Sequence, residues 1–197
     1  MAMRKRQVGG DPCKHTAIIG DVETMWQKLV WDIHQFDQIQ RGNPDLREPL
    51  GFAAINVCIA AASLADWTVA HVVTRRRDAG QPSTDAEVRE HIYAHVPQQA
   101  MCEAIANTAK HARLKGGLWP NGEVRIDWED ASEDNPPGFI LRHVHPDGIQ
   151  SIALNAFGVL QRNWWGELQN LGFPFSGDIG KFEWWQRHVE TIFGRRN

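Results

Sequence analysis

The sequence predicts an α+β fold that is mainly α: a bundle of about six helices with a small antiparallel β-sheet between the fourth and fifth. Three observations carry this. Apolar residues recur at spacings of three and four over most of the chain, the period of a helix with one buried face. Between about 124 and 153 that period gives way to alternation and tight-turn residues. No internal repeat or long linker divides the 197 residues, of which 42% are hydrophobic, so a single domain with a real core is expected. The expected organisation is a flexible basic arm over 1–17 and one domain over 18–197. Within it, 18–116 form a four-helix core, 117–153 the sheet and 154–194 two C-terminal helices.

The first helix is predicted from Asp21 to about Ile39, with Val22, Met25, Trp26, Leu29, Ile33 and Phe36 on one face and Asp21 as its N-cap. The second runs from about Gly51 to Thr74. Its Ala-rich middle, 53–65, lets neighbours approach closely and marks it as the central helix, and Arg75, Arg76 and Arg77 follow at the negative end of its dipole. Thr84 with Glu87 is a capping box that opens the third helix, which ends near Val96 before Pro97. The fourth spans about Gln98 to Leu114 and stops at Gly116-Gly117.

Val124, Ile126 and Trp128 alternate with polar residues as a strand does. Phe139 to His145 reads as a second strand, and Pro146-Asp147-Gly148 turns it into a third near 149–153. Helical period returns at Phe157, Leu160, Trp164, Leu168 and Leu171. A last helix is expected near Asp178, with Phe182, Trp185, Val189 and Ile192 on one side. In Trp164-Trp165 and Trp184-Trp185, both members of a pair cannot face inward on an ideal helix.

Composition narrows the function classes. The formal net charge is −3, which predicts no nucleic-acid or membrane field over the whole surface. Cys13, Cys58 and Cys102 are odd in number and far apart, so neither a disulfide scaffold nor a cysteine zinc knuckle is expected. The basic start lacks an apolar run, and the stretch 52–65 is too short and polar for a membrane span. A cytoplasmic protein without membrane partners is therefore expected.

Polar residues interrupt two otherwise apolar helices. Asn56, Ser63 and Asp66 lie on the second. Glu103, Asn107, Lys110 and His111 share a face of the fourth. If the two helices pack together, Asp66 meets Lys110 or His111. One reading is structural, a paired Asp that sets the register of two helices. The other is catalytic: Asp66 orients His111 for proton transfer while Lys110 or Asn107 stabilises developing charge.

These segments resemble a family of uncharacterised bacterial and phage proteins with an Asn-bearing apolar helix ending in Asp-Trp and a later Cys-x-x-(Ile/Leu)-x-Asn-x-x-Lys-His helix. Asn56, Leu64, Asp66 and Trp67, then Cys102, Ile105, Asn107, Lys110 and His111, match that pattern within about 51–115. The chain departs from it at Ser63, where His is usual, at Ala60, where Thr is common, and at Glu103, where Arg is common. Asn107 with His111 also resembles the Asn-x-x-x-His part of the HEPN superfamily of helical domains, many of them dimeric, metal-independent ribonucleases. That resemblance implies His111 as acid/base. The phosphate-holding Arg of the motif is Ala106 here, which implies an inactive or differently employed relative.

His91 and His95 form an i, i+4 pair able to ligate a metal, with no third ligand fixed by the sequence. His143 and His145 share a strand face as another half-site. Arg75, Arg76 and Arg77, with the basic arm, offer phosphate contacts or simply cap a helix and solubilise a tail. No H-E-x-x-H, P-loop or dinucleotide motif is present, so no metal site is assigned and no cofactor is called for. Three functions follow. The first is a helical module acting through protein contacts or self-association, with Asp66 and His111 buried and a Trp-containing apolar surface. The second is a nucleic-acid-directed enzyme, with His111 and Asn107 in a cleft beside Arg75–Arg77. The third is a metal protein built on a histidine pair.

Overall fold

The computed structural model describes residues 11–42, 44–112, 117–133 and 136–173. Their elements run α1 (Cys13–Thr16), α2 (Val22–Gly42), α3 (Arg47–Asp78), α4 (Asp85–His95), α5 (Gln98–His111), β1 (Glu123–Glu129), β2 (Gly138–Val144), β3 (Gln150–Ile152) and α6 (Ala153–Asn170). The fold is α+β and mainly helical, with a three-stranded antiparallel sheet in the order β1-β2-β3. The expected helix near 178–192, the pair Trp184-Trp185 and most of the basic arm lie outside the described residues.

The local signals act as their chemistry predicts. Asp21 accepts from the Thr24 amide at 2.8 Å and opens α2. Thr84 and Glu87 form the reciprocal capping box at the start of α4, with bonds of 3.2 and 2.8 Å. α5 ends earlier than Gly116: Ala112 takes the left-handed conformation, and its amide closes on the Thr108 carbonyl. α3 is longer at both ends than its periodicity suggests, so Arg75, Arg76 and Arg77 fall inside its last turn rather than after it.

α3 is the axis of the bundle and packs against α2, α4, α5 and β2. Its buried residues include Ala53, Ala54, Ala60, Ala61, Ala62 and Ala65, which let three helices approach one backbone. Its length and apolar composition would also suit a membrane span, but 61% of that window is buried inside the bundle. Around it the core is aromatic: Trp26 and Phe36 of α2 and Phe157 and Trp164 of α6 are all buried, with Phe36 edge-on to Phe157 at 5.0 Å. Trp164 is fully buried, and its neighbour Trp165 turns aside onto Trp26 at 5.9 Å.

β1 and β2 pair in register from Glu123↔Val144 to Glu129↔Gly138. The turn at 145–149 is closed by the bond from the Gly148 amide to the His145 carbonyl, with Gly148 at φ 82°. The sheet is anchored where the Phe139 amide bonds the Pro44 carbonyl at 2.7 Å and Gln40 of α2 donates to the Phe139 carbonyl at 2.7 Å.

Candidate metal centre

A buried polar network crosses the bundle. Gln99, wholly buried on α5, donates to the Ala61 carbonyl of α3 at 3.1 Å and to Glu103 at 2.9 Å, and accepts from the Trp164 indole of α6 at 2.9 Å. Tyr93 of α4 donates to the other oxygen of Glu103 at 2.8 Å, and burial together with that carboxylate pushes the phenol up to about 12. Arg89 approaches Glu103 at 3.6 Å and bonds Asp66. One connected network thus ties four helices through groups that would be costly to bury alone.

This placement corrects the expectation that Asp66 meets Lys110 or His111. Gln99 lies against Ala61, and the groove flanked by Ala54 and Ile55 is flanked on the other side by Ala104 to Ala109. α3 and α5 therefore run antiparallel, and Asp66 and His111 sit about 25 Å apart along the helix axes. Asp66 pairs with Arg89 of α4 and its side chain is 62% exposed. Asn107 is half-buried; Lys110 and His111 are exposed at the free end of α5. The buried polar cluster is real, but its members are Gln99, Glu103, Tyr93 and Arg89 rather than Asn107, Lys110 and His111.

The arginine triplet lies at the opposite end of α3 from His111. Arg75 donates to the Leu171 and Gly172 carbonyls, caps the end of α6 and lies over the Phe173 ring at 5.7 Å. Arg77 lies 3.8 Å from Asp78, and Arg76 is half-exposed. His143, one member of the strand half-site, is buried. Trp119 stands edge-on to both His143 and His145 at 6.2 Å, and His145 reaches Ser151 at 3.1 Å.

The remaining histidine pair gains a partner from a distant element. One turn of α4 stacks the rings of His91 and His95 at 4.2 Å. Glu167 of α6 comes up beneath them. One carboxylate oxygen is 3.1 Å from His91 Nε2, and the other is 3.8 Å from His95 Nδ1. The donor atoms of all three side chains lie within 4.8 Å of one another, the only such group of three among the described residues. The Glu167 side chain is fully buried while the imidazoles are 42% and 46% exposed. Neither of its oxygens has a well-formed hydrogen bond. Burial raises its pKa, opposed by His91, His95 and the nearby Asn170 amide. An ionised carboxylate in such a place costs several kcal/mol unless a cation meets it.

The spacing suits a small divalent ion. Donors at about 2.05 Å from a tetrahedral zinc lie about 3.3 Å from each other; His91 Nε2 and its nearer Glu167 oxygen, at 3.1 Å, match that value, and the three donor atoms lie within 4.8 Å of one another. His95 Nδ1 also lies 2.8 Å from the His91 carbonyl, so this nitrogen ligates only as the tautomer without a proton on Nδ1, turned from that carbonyl onto the ion. Sequence reasoning found the histidines and missed Glu167. Its signal was an acidic residue between Trp164 and Leu168, on the stripe that faces the core. No family model, no curated protein and no solved structure matches this chain.

Proposed function

We propose that this chain is a transition-metal-binding helical protein whose ion, zinc by ligand type and spacing, is held by His91, His95 and Glu167. The observation that carries the reading is the wholly buried Glu167 carboxylate, short of hydrogen bonds, set against an i, i+4 histidine pair. Two imidazoles and one carboxylate leave a fourth tetrahedral position. The half-exposed histidine side gives that position access to solvent, so a bound water there would become more acidic.

The test is titration of zinc into untagged, chelator-treated protein against a chromophoric chelator. One equivalent binds, and His91→Ala and Glu167→Gln each weaken binding by more than the roughly 10–100-fold that outer-shell changes cost. Zinc at about 100 times its Kd stabilises the fold by about 2.7 kcal/mol in urea unfolding. The absence of saturable one-equivalent binding in the wild type, or equal affinity in Glu167→Gln, refutes the proposal.

A further inference from the structure

A second site lies elsewhere in the molecule, between α3, α5 and the inner face of the sheet. It is a half-open cavity of about 540 Å³, within the size range of small-molecule pockets. Ala54 of α3 and Ala104 of α5 leave the space, and Ile126 and Leu141 of the sheet face it. From Arg47 to Cys58, both of which line it, the cavity follows α3 for about 16 Å of helix rise.

Its charges are unequal. Arg47 and Glu123 are the charged residues of the lining. Glu123 is engaged by Arg125 at 2.8 Å. Arg47 is exposed and makes no ion pair among the described residues. It also sits in the first turn of α3, where the helix dipole disfavours a cation, and the N-cap residue Leu46 supplies no side-chain cap. Glu48 shares that turn and Pro49 has no amide N–H, so the anion-accepting group at this end of the cavity is the Arg47 guanidinium itself.

An independent sign of a ligand lies deeper. His143, 1% exposed, lines the same cavity, and its Nδ1 has no hydrogen-bond partner. Trp119 also lines it, and its indole nitrogen is likewise buried and unmet. Unmet buried polar groups each cost about 1–3 kcal/mol. An oxygen on the ligand that meets either nitrogen removes that cost.

We infer that this cavity binds a small amphipathic carboxylic acid. The carboxylate lies at Arg47 and the start of α3, the apolar body lies over Leu141 and Ile126, and a hydroxyl or carbonyl oxygen on the body meets Trp119 and His143. The site is independent of the metal centre, which lies on α4 and α6.

Calorimetric titration with octanoate, octan-1-ol and a set of hydroxyoctanoates differing in hydroxyl position tests the inference. Octanoate binds at one site, about tenfold tighter than octan-1-ol, and Arg47→Gln removes that advantage. Ala109→Trp, a change at an exposed residue of the cavity rim, blocks binding of all the probes without altering the fold seen by circular dichroism. At least one hydroxyoctanoate binds about fivefold tighter than octanoate to the wild type but not to His143→Leu. No saturable octanoate binding, full binding by Ala109→Trp, or equal octanoate affinity in Arg47→Gln overturns the assignment. Equal affinity for octanoate and every hydroxyoctanoate overturns the role of His143 and Trp119.

Discussion

His143 makes the stability of this protein depend on pH in a way that can be isolated. Its imidazole is buried among Trp119, Phe157 and the sheet, with Phe157 at 5.5 Å. Burial, helped by the neighbouring His145, lowers its pKa from 6.5 to about 4. The unfolded chain therefore takes up this proton first as pH falls. The contribution of neutral His143 is fully present above the unfolded value of 6.5 and is lost as pH falls toward 4. The displacement is equivalent to about 3 kcal/mol in full, most of which is lost between pH 7 and about pH 4.5. The perturbation is His143→Leu, which keeps an apolar side chain of similar size but cannot titrate. Urea unfolding of both proteins at the two pH values gives four free energies. Carboxylates whose pKa burial raises, Glu167 and Asp32 among them, are common to both proteins and cancel in the double difference. The wild type loses about 2–3 kcal/mol more than the variant on acidification. Equal losses in the two proteins refute the claim that His143 is buried and neutral.

Two substitutions test the packing that positions the sites. Gln99→Leu leaves the Trp164 indole, the Ala61 carbonyl and one Glu103 oxygen short of a partner and costs about 2–3 kcal/mol in urea unfolding; a cost below about 0.5 kcal/mol shows that the network is not closed through Gln99. Gly138→Ala places a Cβ 2.4 Å from the Pro44 Cβ and 2.9 Å from its carbonyl oxygen. It lowers the thermal midpoint by an amount equivalent to about 1–3 kcal/mol, and an unchanged midpoint refutes the close approach of β2 to the segment after α2.

The elements from α2 to α6 are legible in the sequence because their causes are local, whereas the short α1 falls in the stretch expected to be a flexible arm. The apolar period of Val22 to Phe36, the Thr84–Glu87 capping box and the Pro146–Gly148 turn each act within a few residues of chain. The Ala-rich run of 53–65 marks α3 as the central helix from composition alone. Which polar faces meet was decided by tertiary structure alone. Periodicity shows that Asp66 and His111 each lie on a polar face, but the antiparallel passage of α5 along α3 sends them to opposite ends and gives Asp66 to Arg89. The histidine pair was legible as a half-site because i, i+4 spacing is a local fact. Glu167 became its third member only because α6 folds back against α4 and brings a carboxylate from a distant helix under both rings. Burial is a property of that packing. It raises the pKa of an ordinary glutamate and turns a strand histidine into a neutral buried ring.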